Sequence, residues 1–256
     1  MRLWLNSPDR QENPEEFSRR CEAVGQTYLA APALQAEGVH VISTDEKTGI
    51  QAIHRDAPAL PMRPGLPEKQ EFNYDRHGTL CLTANLDVAT GQIVTPTLGP
   101  TRGEEDFAAH VRQTIAPDPE GQWIVICDQL NTHQSEALVR LVAGQCVPGQ
   151  ELGIKGESGI LQSRATRRAF LEDPSHRVRF LYTPRHASWM NQIEIWFGIL
   201  SRRALRRASF ASLEQLRQRL APTVSEALFA HETLVVHLAP AALRATVELM
   251  RSEFAF

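Results

Sequence analysis

The sequence predicts an α/β fold: a mixed sheet, an antiparallel meander followed by parallel strands, flanked by helices. Three observations carry this. Short β-branched or apolar runs follow one another closely in the first half, as VHVIST, TLCLTANL and IVTPTL. In the second half the strand-like runs WIVIC and RVRFLY alternate with helical stretches, and such an order gives a mixed sheet covered by helices. WIVIC lacks any polar alternation, as expected of a central strand covered on both faces.

The elements can be placed in chain order. Residues 1–13 are polar and read as irregular. Asn13-Pro14-Glu15-Glu16 combines a capping side chain, a first-turn proline and acids at the positive end of a helix dipole. The helix it starts is expected to run to about Leu29, where Ala31-Pro32 interrupts it. Residues 39–44 predict a strand, 45–49 a tight turn and 50–54 a second strand. Residues 56–76 are rich in proline and charge and read as a loop; strands resume at 79–86 and 93–98. Residues 102–115 predict a helix with Phe107, Val111 and Ile115 on one side. The strand 123–127 follows and ends in Asp128, and a second helix is expected from Ser135 to about Val147. Residues 148–175 are glycine-rich, then basic, and read as an excursion inserted before the last strand, with a short helix over 162–171. The strand 177–182 leads through a polar loop into a helix taken to start near Ser188 and to reach Arg207. A final helix is expected over 213–230, and 231–256 read as helical without a site. The domain reading is 1–38 as linker and helix, 39–220 as one domain with the insertion 148–175, and 221–256 as a divergent helical tail.

The totals limit the function classes. A chain of 256 residues, 42% hydrophobic and 22% charged, is an ordinary globular chain with room for a large core. Its net charge of −3 excludes a globally basic nucleic-acid binder, so any such contact must come from local clusters. The four cysteines are scattered with no CxxC, which points to reduced cytosolic chemistry without a zinc site or disulfide framework. No signal-peptide pattern and no run of about 18 apolar residues is present, so neither secretion nor a membrane partner is expected.

Chemistry concentrates at three carboxylates. At about 100° per residue, Ile193, Trp196, Phe197, Leu200 and Ala204 form one apolar helix face. Glu194 falls on another, with Asn191, Gly198 and Ser201. Asp45 and Asp128 stand where strands can project a carboxylate into a crevice. Each acid has a plain alternative: Asp45 as a turn residue, Asp128 as a helix cap, Glu194 as a solvated surface group. Glu46 is a rival to Asp45, but neighbours on a strand point to opposite faces, and Asp45 is the choice. Hard oxygen ligands with no nearby cysteine or histidine pair favour Mg²⁺ or Mn²⁺, and two ions could serve phosphodiester chemistry. Lys47, Arg164, Arg167, Arg168, Arg202, Arg203, Arg206 and Arg207 are candidate DNA-binding cations; the plain reading of the last four is a solvated helix end. His133 and His186 read as hydrogen-bonded surface histidines, with general acid–base work as the alternative.

STDEKTGIQA, VICDQLNTHQS and YTPRHASWMNQIEIWF resemble the three catalytic blocks of bacterial insertion-sequence transposases, the six-thirty group of the Tc/mariner superfamily, in family order. The resemblance spans about residues 39–218. It implies an RNase H-like fold and a DDE metal triad of Asp45, Asp128 and Glu194. It implies strand cleavage at transposon ends and joining of the freed 3′ hydroxyl to target DNA, in this superfamily usually at TA steps. Asn131, His133 and Asn191 match residues that recur in these blocks and are expected behind the triad or on DNA. Double-stranded DNA is the implied partner, a homodimer is a candidate assembly, and the expected location is the cytoplasm, on the nucleoid.

Three departures accompany the resemblance. The 65 residues between Asp128 and Glu194 exceed the usual spacing, which the 148–175 excursion explains. Such transposases begin with a helix-turn-helix region, whereas Met1 here stands just upstream of the core, so a truncated copy is expected. After about Arg219 the tail no longer resembles the family, and a frameshifted end is the hypothesis; it fails if no alternative reading frame of the gene restores a family-like tail. Two rival functions remain: a non-catalytic truncated transposase that binds DNA or a full-length partner as an inhibitor, and an RNase H-like nuclease that only hydrolyses.

Overall fold

The computed structural model describes residues 8–224. Its elements are α1 (Pro8–Glu12), α2 (Pro14–Ala36), β1 (Val39–Arg55), β2 (Tyr74–Asp87), β3 (Ile93–Gly99), α3 (Glu104–Ile115), β4 (Gln122–Cys127), α4 (Glu136–Cys146), α5 (Arg164–Leu171), β5 (Val178–Tyr182), α6 (Ile193–Leu200) and α7 (Leu213–Val224). The strands form one sheet in the order β3-β2-β1-β4-β5. β1, β2 and β3 pair antiparallel, and β1, β4 and β5 pair parallel. This is the mixed sheet that the sequence predicts, with the RNase H-like order that the resemblance implies. The expectations for residues 1–7 and for everything beyond 224, the tail included, lie outside the described residues.

The sheet is covered on both faces. Phe107 and Val111 of α3 and Leu138 and Val142 of α4 pack on one face against Ile42, Val125 and Phe180. On the other, α2 lies over Val39, Val41, Ile124 and Ile126. Beside it, α6 and α7 bury Trp196, Phe197, Leu200 and Leu216 on Ile50, Leu80 and Leu82. The 148–175 excursion stays docked: Leu161 and Leu171 are fully buried in the α3–α4 core. Ser163 caps α5 by accepting from the Thr166 N–H.

Four elements depart from the sequence reading. Residues 8–12, read as irregular, form the short helix α1. The helix expected to stop near Leu29 runs through Pro32 to Ala36. An interior proline costs about 3 kcal/mol or more. Against this, α2 buries Phe17, Cys21, Val24, Tyr28 and Ala31, and each large side chain contributes about 1.5–3 kcal/mol on burial. The expected turn at 45–49 is absent, and β1 is one strand through it. Its partners slip from Lys47↔Leu82 to Ile50↔Leu80, so three steps on β1 face two on β2. A bulge absorbs the extra residue, with Gly49 in the left-handed conformation at φ 68°. Asp45 therefore lies within a strand. Lastly, the helix placed from Ser188 begins at Ile193, after a short 3₁₀ turn over Ser188–Met190. Asn191 has an extended ψ of 104°, which separates the two turns. After Leu200 the chain widens into a π-turn over Ser201–Leu205.

Arg20 ties α2 to the excursion. It is buried, and its guanidinium meets Glu16 at 2.7 Å and Glu172, just after α5, at 2.6 Å. Removing one partner of a buried pair strands the other charge and costs about 3–5 kcal/mol, less where a partner is partly solvated, as Glu172 is. Arg20→Ala should lower the urea unfolding free energy by about 2–4 kcal/mol, whereas Arg19→Ala, on the exposed side of the same helix, should change it by less than about 1 kcal/mol.

Candidate active site

β1 and β4 run parallel in register up to Ser43↔Ile126. Two residues further along each strand stand Asp45 and Asp128, so the pairing sets the two acids side by side on one face. That face also carries Val41 and Ser43, and it receives the start of α6. The opposite face takes Glu46, as alternation requires.

A buried hydrogen-bond hub holds α6 to this face. The Asn191 Nδ2 donates to the Thr44 carbonyl at 2.9 Å and to Asp45 Oδ2 at 3.0 Å. Asn191 Oδ1 accepts from the Ser43 hydroxyl. Ser43 Oγ in turn accepts from the Ile193 N–H at 3.1 Å. The Tyr28 hydroxyl of α2 donates to the Met190 carbonyl at 2.9 Å and accepts from the Gln192 N–H at 3.3 Å. Two hydroxyls thus satisfy backbone N–H groups that the first turn of α6 would leave bare. Glu194 follows in that first turn, exposed, where a carboxylate suits the positive end of the helix dipole.

Asp128 is fixed from the other side. Its Oδ1 accepts from the Leu130 N–H at 2.9 Å and from His133 Nδ1 at 2.7 Å. His133 Nε2 lies 3.2 Å from both Glu46 oxygens. His133 is fully buried against the Phe107 ring, 4.2 Å between centroids, so it is not the surface histidine that its loop suggested. His186 is exposed, on the loop before α6 with φ 56°.

The charges are coupled. Burial and the neighbouring Asp128, with a smaller contribution from Glu194, push the Asp45 carboxyl up to about 7 against the Glu46 N–H and His133. Burial also pushes Asp128 up, but His133 and the Leu130 N–H outweigh it and hold Asp128 below its usual range, with Arg102 helping. Burial depresses the His133 imidazole, and its bonds to Asp128, Cys127 and Glu46 raise it well above its ordinary value. An imidazolium between two carboxylates donates from both nitrogens.

The structure therefore brings Asp45, Asp128 and Glu194 to one end of the sheet, with Asn191 and His133 directly behind them. Among the described residues, no three His, Cys, Asp or Glu side chains stand close enough together to hold a metal ion. The donor set itself is suited to a hard cation: Asp45 and Asp128 are mutually repelling oxygen donors, and Glu194 has no side-chain partner among the described residues. The candidate cations divide. Arg164 Nη1 meets the exposed Asn131 Oδ1 at 3.2 Å. Arg167 is engaged with the carbonyls of Gln134 and Leu161, Arg168 with Glu172, and Arg207 with Glu68. Lys47, Arg202 and Arg206 border a cleft beside α6, and Arg203 is exposed. The sequence reading missed Ser43, Tyr28 and the Glu46–His133 pair. Ser43 could have been found, since it shares a strand face with Asp45 at i−2; Tyr28 could not, because nothing local links α2 to α6.

The profile of the DDE superfamily endonucleases matches residues 40–217, well over half of the chain. The chain belongs to the DDE superfamily endonucleases. Solved structures similar to this DDE endonuclease include a pre-cleavage Mos1 transpososome (13% identity, TM-score 0.56, covering 100% of this chain and 67% of that one). The Mos1 strand transfer complex matches at 13% identity and a TM-score of 0.55, covering 100% and 66%. The Mos1 transposase paired-end complex with left transposon end matches at 12% and 0.51, covering 99% and 64%. At such identities the likeness concerns the fold. This DDE endonuclease spans about two thirds of the length of those Mos1 chains. No curated protein matches it in sequence. No described helix is long and apolar enough to cross a membrane.

The raised Asp45 carboxyl makes stability depend on pH. Its folded value of about 7 lies above the ordinary 3.8, so the folded state holds a proton that the unfolded chain releases. The resulting stabilisation is complete below pH 3.8 and is lost as pH rises through 7. The metal-free protein should lose up to roughly 4 kcal/mol of unfolding free energy between pH 4 and 8 from this group. Asp45→Asn should flatten that slope in urea melts taken across the range; an unchanged slope would locate the effect elsewhere.

Proposed function

We propose that this chain is a transposase catalytic core of a bacterial insertion sequence, cutting DNA strands at the element's ends and joining the freed 3′ hydroxyl to target DNA. What supports this reading is the placement of Asp45 in β1, Asp128 just after β4 and Glu194 in the first turn of α6, at one edge of a DDE endonuclease domain. Asp45, Asp128 and Glu194 would hold Mg²⁺ or Mn²⁺, two ions, which when bound supply the positive charge that activates an attacking oxygen and steadies a leaving one. Similar Mos1 paired-end complexes were solved with Mn and with Mg.

The chain's own residues set up this chemistry. Asn191 turns one oxygen of Asp45 toward the hub, leaving Oδ1, among the described residues, with the Glu46 N–H. His133 keeps Asp128 ionised and fixes its rotamer. Phosphoryl transfer depends on such positioning and on neutralising the phosphate, more than on covalent help. Asn131 with Arg164, and Lys47 with Arg202, Arg203 and Arg206, are proposed contacts to DNA. Transposon ends and target would be the double-stranded partners, and a homodimer the assembly.

A second reading, a DNA-binding core without catalysis, is favoured by the absence of three metal ligands at coordinating distance among the described residues. A nicking assay with Mn²⁺ on an element-end duplex separates the two readings. Wild type should nick, and a target plasmid should capture the cut end. Asp128→Asn should reduce nicking by at least about 10³-fold with an unchanged circular dichroism spectrum, the scale of losing a metal-held charge. Nicking without end joining would leave a nuclease that only hydrolyses, and unchanged nicking by Asp128→Asn would remove Asp128 from the site.

A further inference from the structure

Glu46 is a buried acid on the face of the sheet away from α6. It follows Asp45 on β1, and neighbours on a strand alternate between faces. Its side chain is 2% exposed. It has no lysine or arginine partner among the described residues; both of its oxygens lie 3.2 Å from His133 Nε2. A pair buried this deeply is weak evidence of a contribution to stability, because apolar side chains of like volume commonly replace such pairs without loss. What the pair does set is the direction of the imidazole.

The backbone holds His133 in place. Its carbonyl accepts from the Tyr182 hydroxyl at 2.6 Å, and the next carbonyl, of Gln134, accepts from Arg167 Nε at 2.7 Å. The Phe107 ring packs against the imidazole. These contacts fix where the ring lies, but none of them bonds a ring nitrogen. The Cys127 thiol also bonds the ring, as a weak partner. Glu46 fixes how the ring is turned. A half-turn about the Cβ–Cγ bond would exchange each nitrogen for a carbon. It would break the bond to Glu46 and the 2.7 Å bond from Nδ1 to Asp128 Oδ1 together. The Leu130 N–H donates to the same Oδ1. Both donors thus converge on one oxygen of Asp128, and Oδ2 has no partner among the described residues. The Asp128 side chain is 37% exposed, so the open oxygen is Oδ2.

We propose that Glu46 is a positioning residue for Asp128: acting through His133, it holds the imidazole so that Oδ1 is engaged and Oδ2 faces the open edge of the sheet. β1 then sets both aspartates, Asp45 within its own strand and Asp128 by way of Glu46. The inference rests on the reading of Asp128 as a cation ligand and adds to it a residue buried on the opposite face.

The test uses two variants of similar bulk. Glu46→Leu fills the site but cannot bond Nε2, whereas Glu46→Gln can, as acceptor or as donor. The full chain is titrated with Mn²⁺, and the free ion is followed by electron paramagnetic resonance. Loss of a group that orients a metal-binding side chain typically weakens affinity by about 10–100-fold. Glu46→Leu should show a loss of that size, and Glu46→Gln should recover most of it. In the metal-free chain, the Nδ1 proton shared with Asp128 should give a downfield proton resonance in wild type and Glu46→Gln, and none in Glu46→Leu. A role confined to packing predicts the reverse ranking, since leucine is the better apolar filler. Unchanged Mn²⁺ affinity and an unchanged Nδ1 resonance in Glu46→Leu would overturn the proposal, as would equal losses in the two variants. If wild type binds no Mn²⁺ while the resonance follows the expected order, Glu46 keeps its role and only the metal reading fails.

Discussion

The side-chain amide of Asn191 is bonded at both ends to β1. Its nitrogen is held by the Thr44 carbonyl and by Asp45, and its oxygen by Ser43. A buried amide with an unmet group costs about 1–3 kcal/mol, so this position is specified tightly once α6 lies on the sheet. The rest of the site depends on it. Asn191 fixes where α6 begins, and Glu194 is one turn later. It also fixes the rotamer of Asp45, whose neighbour across the parallel pairing is Asp128. Tyr28 adds a third element, because its hydroxyl bonds on both sides of Asn191, at Met190 and Gln192.

The same hub explains why like charges can be gathered there. Asp45 is buried beside Asp128, and its carboxyl is raised in consequence. Such an arrangement opposes folding unless protons, cations or hydrogen bonds compensate. His133 provides compensation on one side, buried between Asp128 and Glu46, which faces away from α6. On the other side Glu194 is left in solvent. Like charges gathered at one edge of an otherwise well-packed sheet are where function is expected rather than where stability is gained.

Much of this was legible in the sequence, for identifiable reasons. WIVIC announced a central strand because a strand covered on both faces has no polar alternation, and β4 lies between β1 and β5. Ile193, Trp196, Phe197 and Leu200 announced the packed face of α6 by their spacing, and all four are buried. The errors have a common physical origin: local signals were overruled by tertiary contacts. Asp45 to Gly49 has the composition of a turn, but the pairing of β1 with β2 on both sides of the bulge keeps it within one strand, and Gly49 takes the turn-like backbone. Pro32 would end an isolated helix, but α2 is held by the sheet beneath it. Ser188 looked like the first residue of a helix, but Asn191 draws the chain onto β1 first. His133 looked exposed because its neighbours are polar, and the Phe107 ring with Glu46, 87 residues away, buries it. Separations of that kind leave no periodic trace in a single chain.

The most direct measurement is an anomalous difference map from a crystal of the full chain soaked in Mn²⁺. The expected result is a peak bounded by carboxylate oxygens of Asp45 and Asp128, with Glu194 turned toward it and Asn191 still bonded to Asp45. A map with no Mn²⁺ peak at those carboxylates, in crystals where the ion binds elsewhere or not at all, would contradict the claim that these three acids form one cation-binding centre.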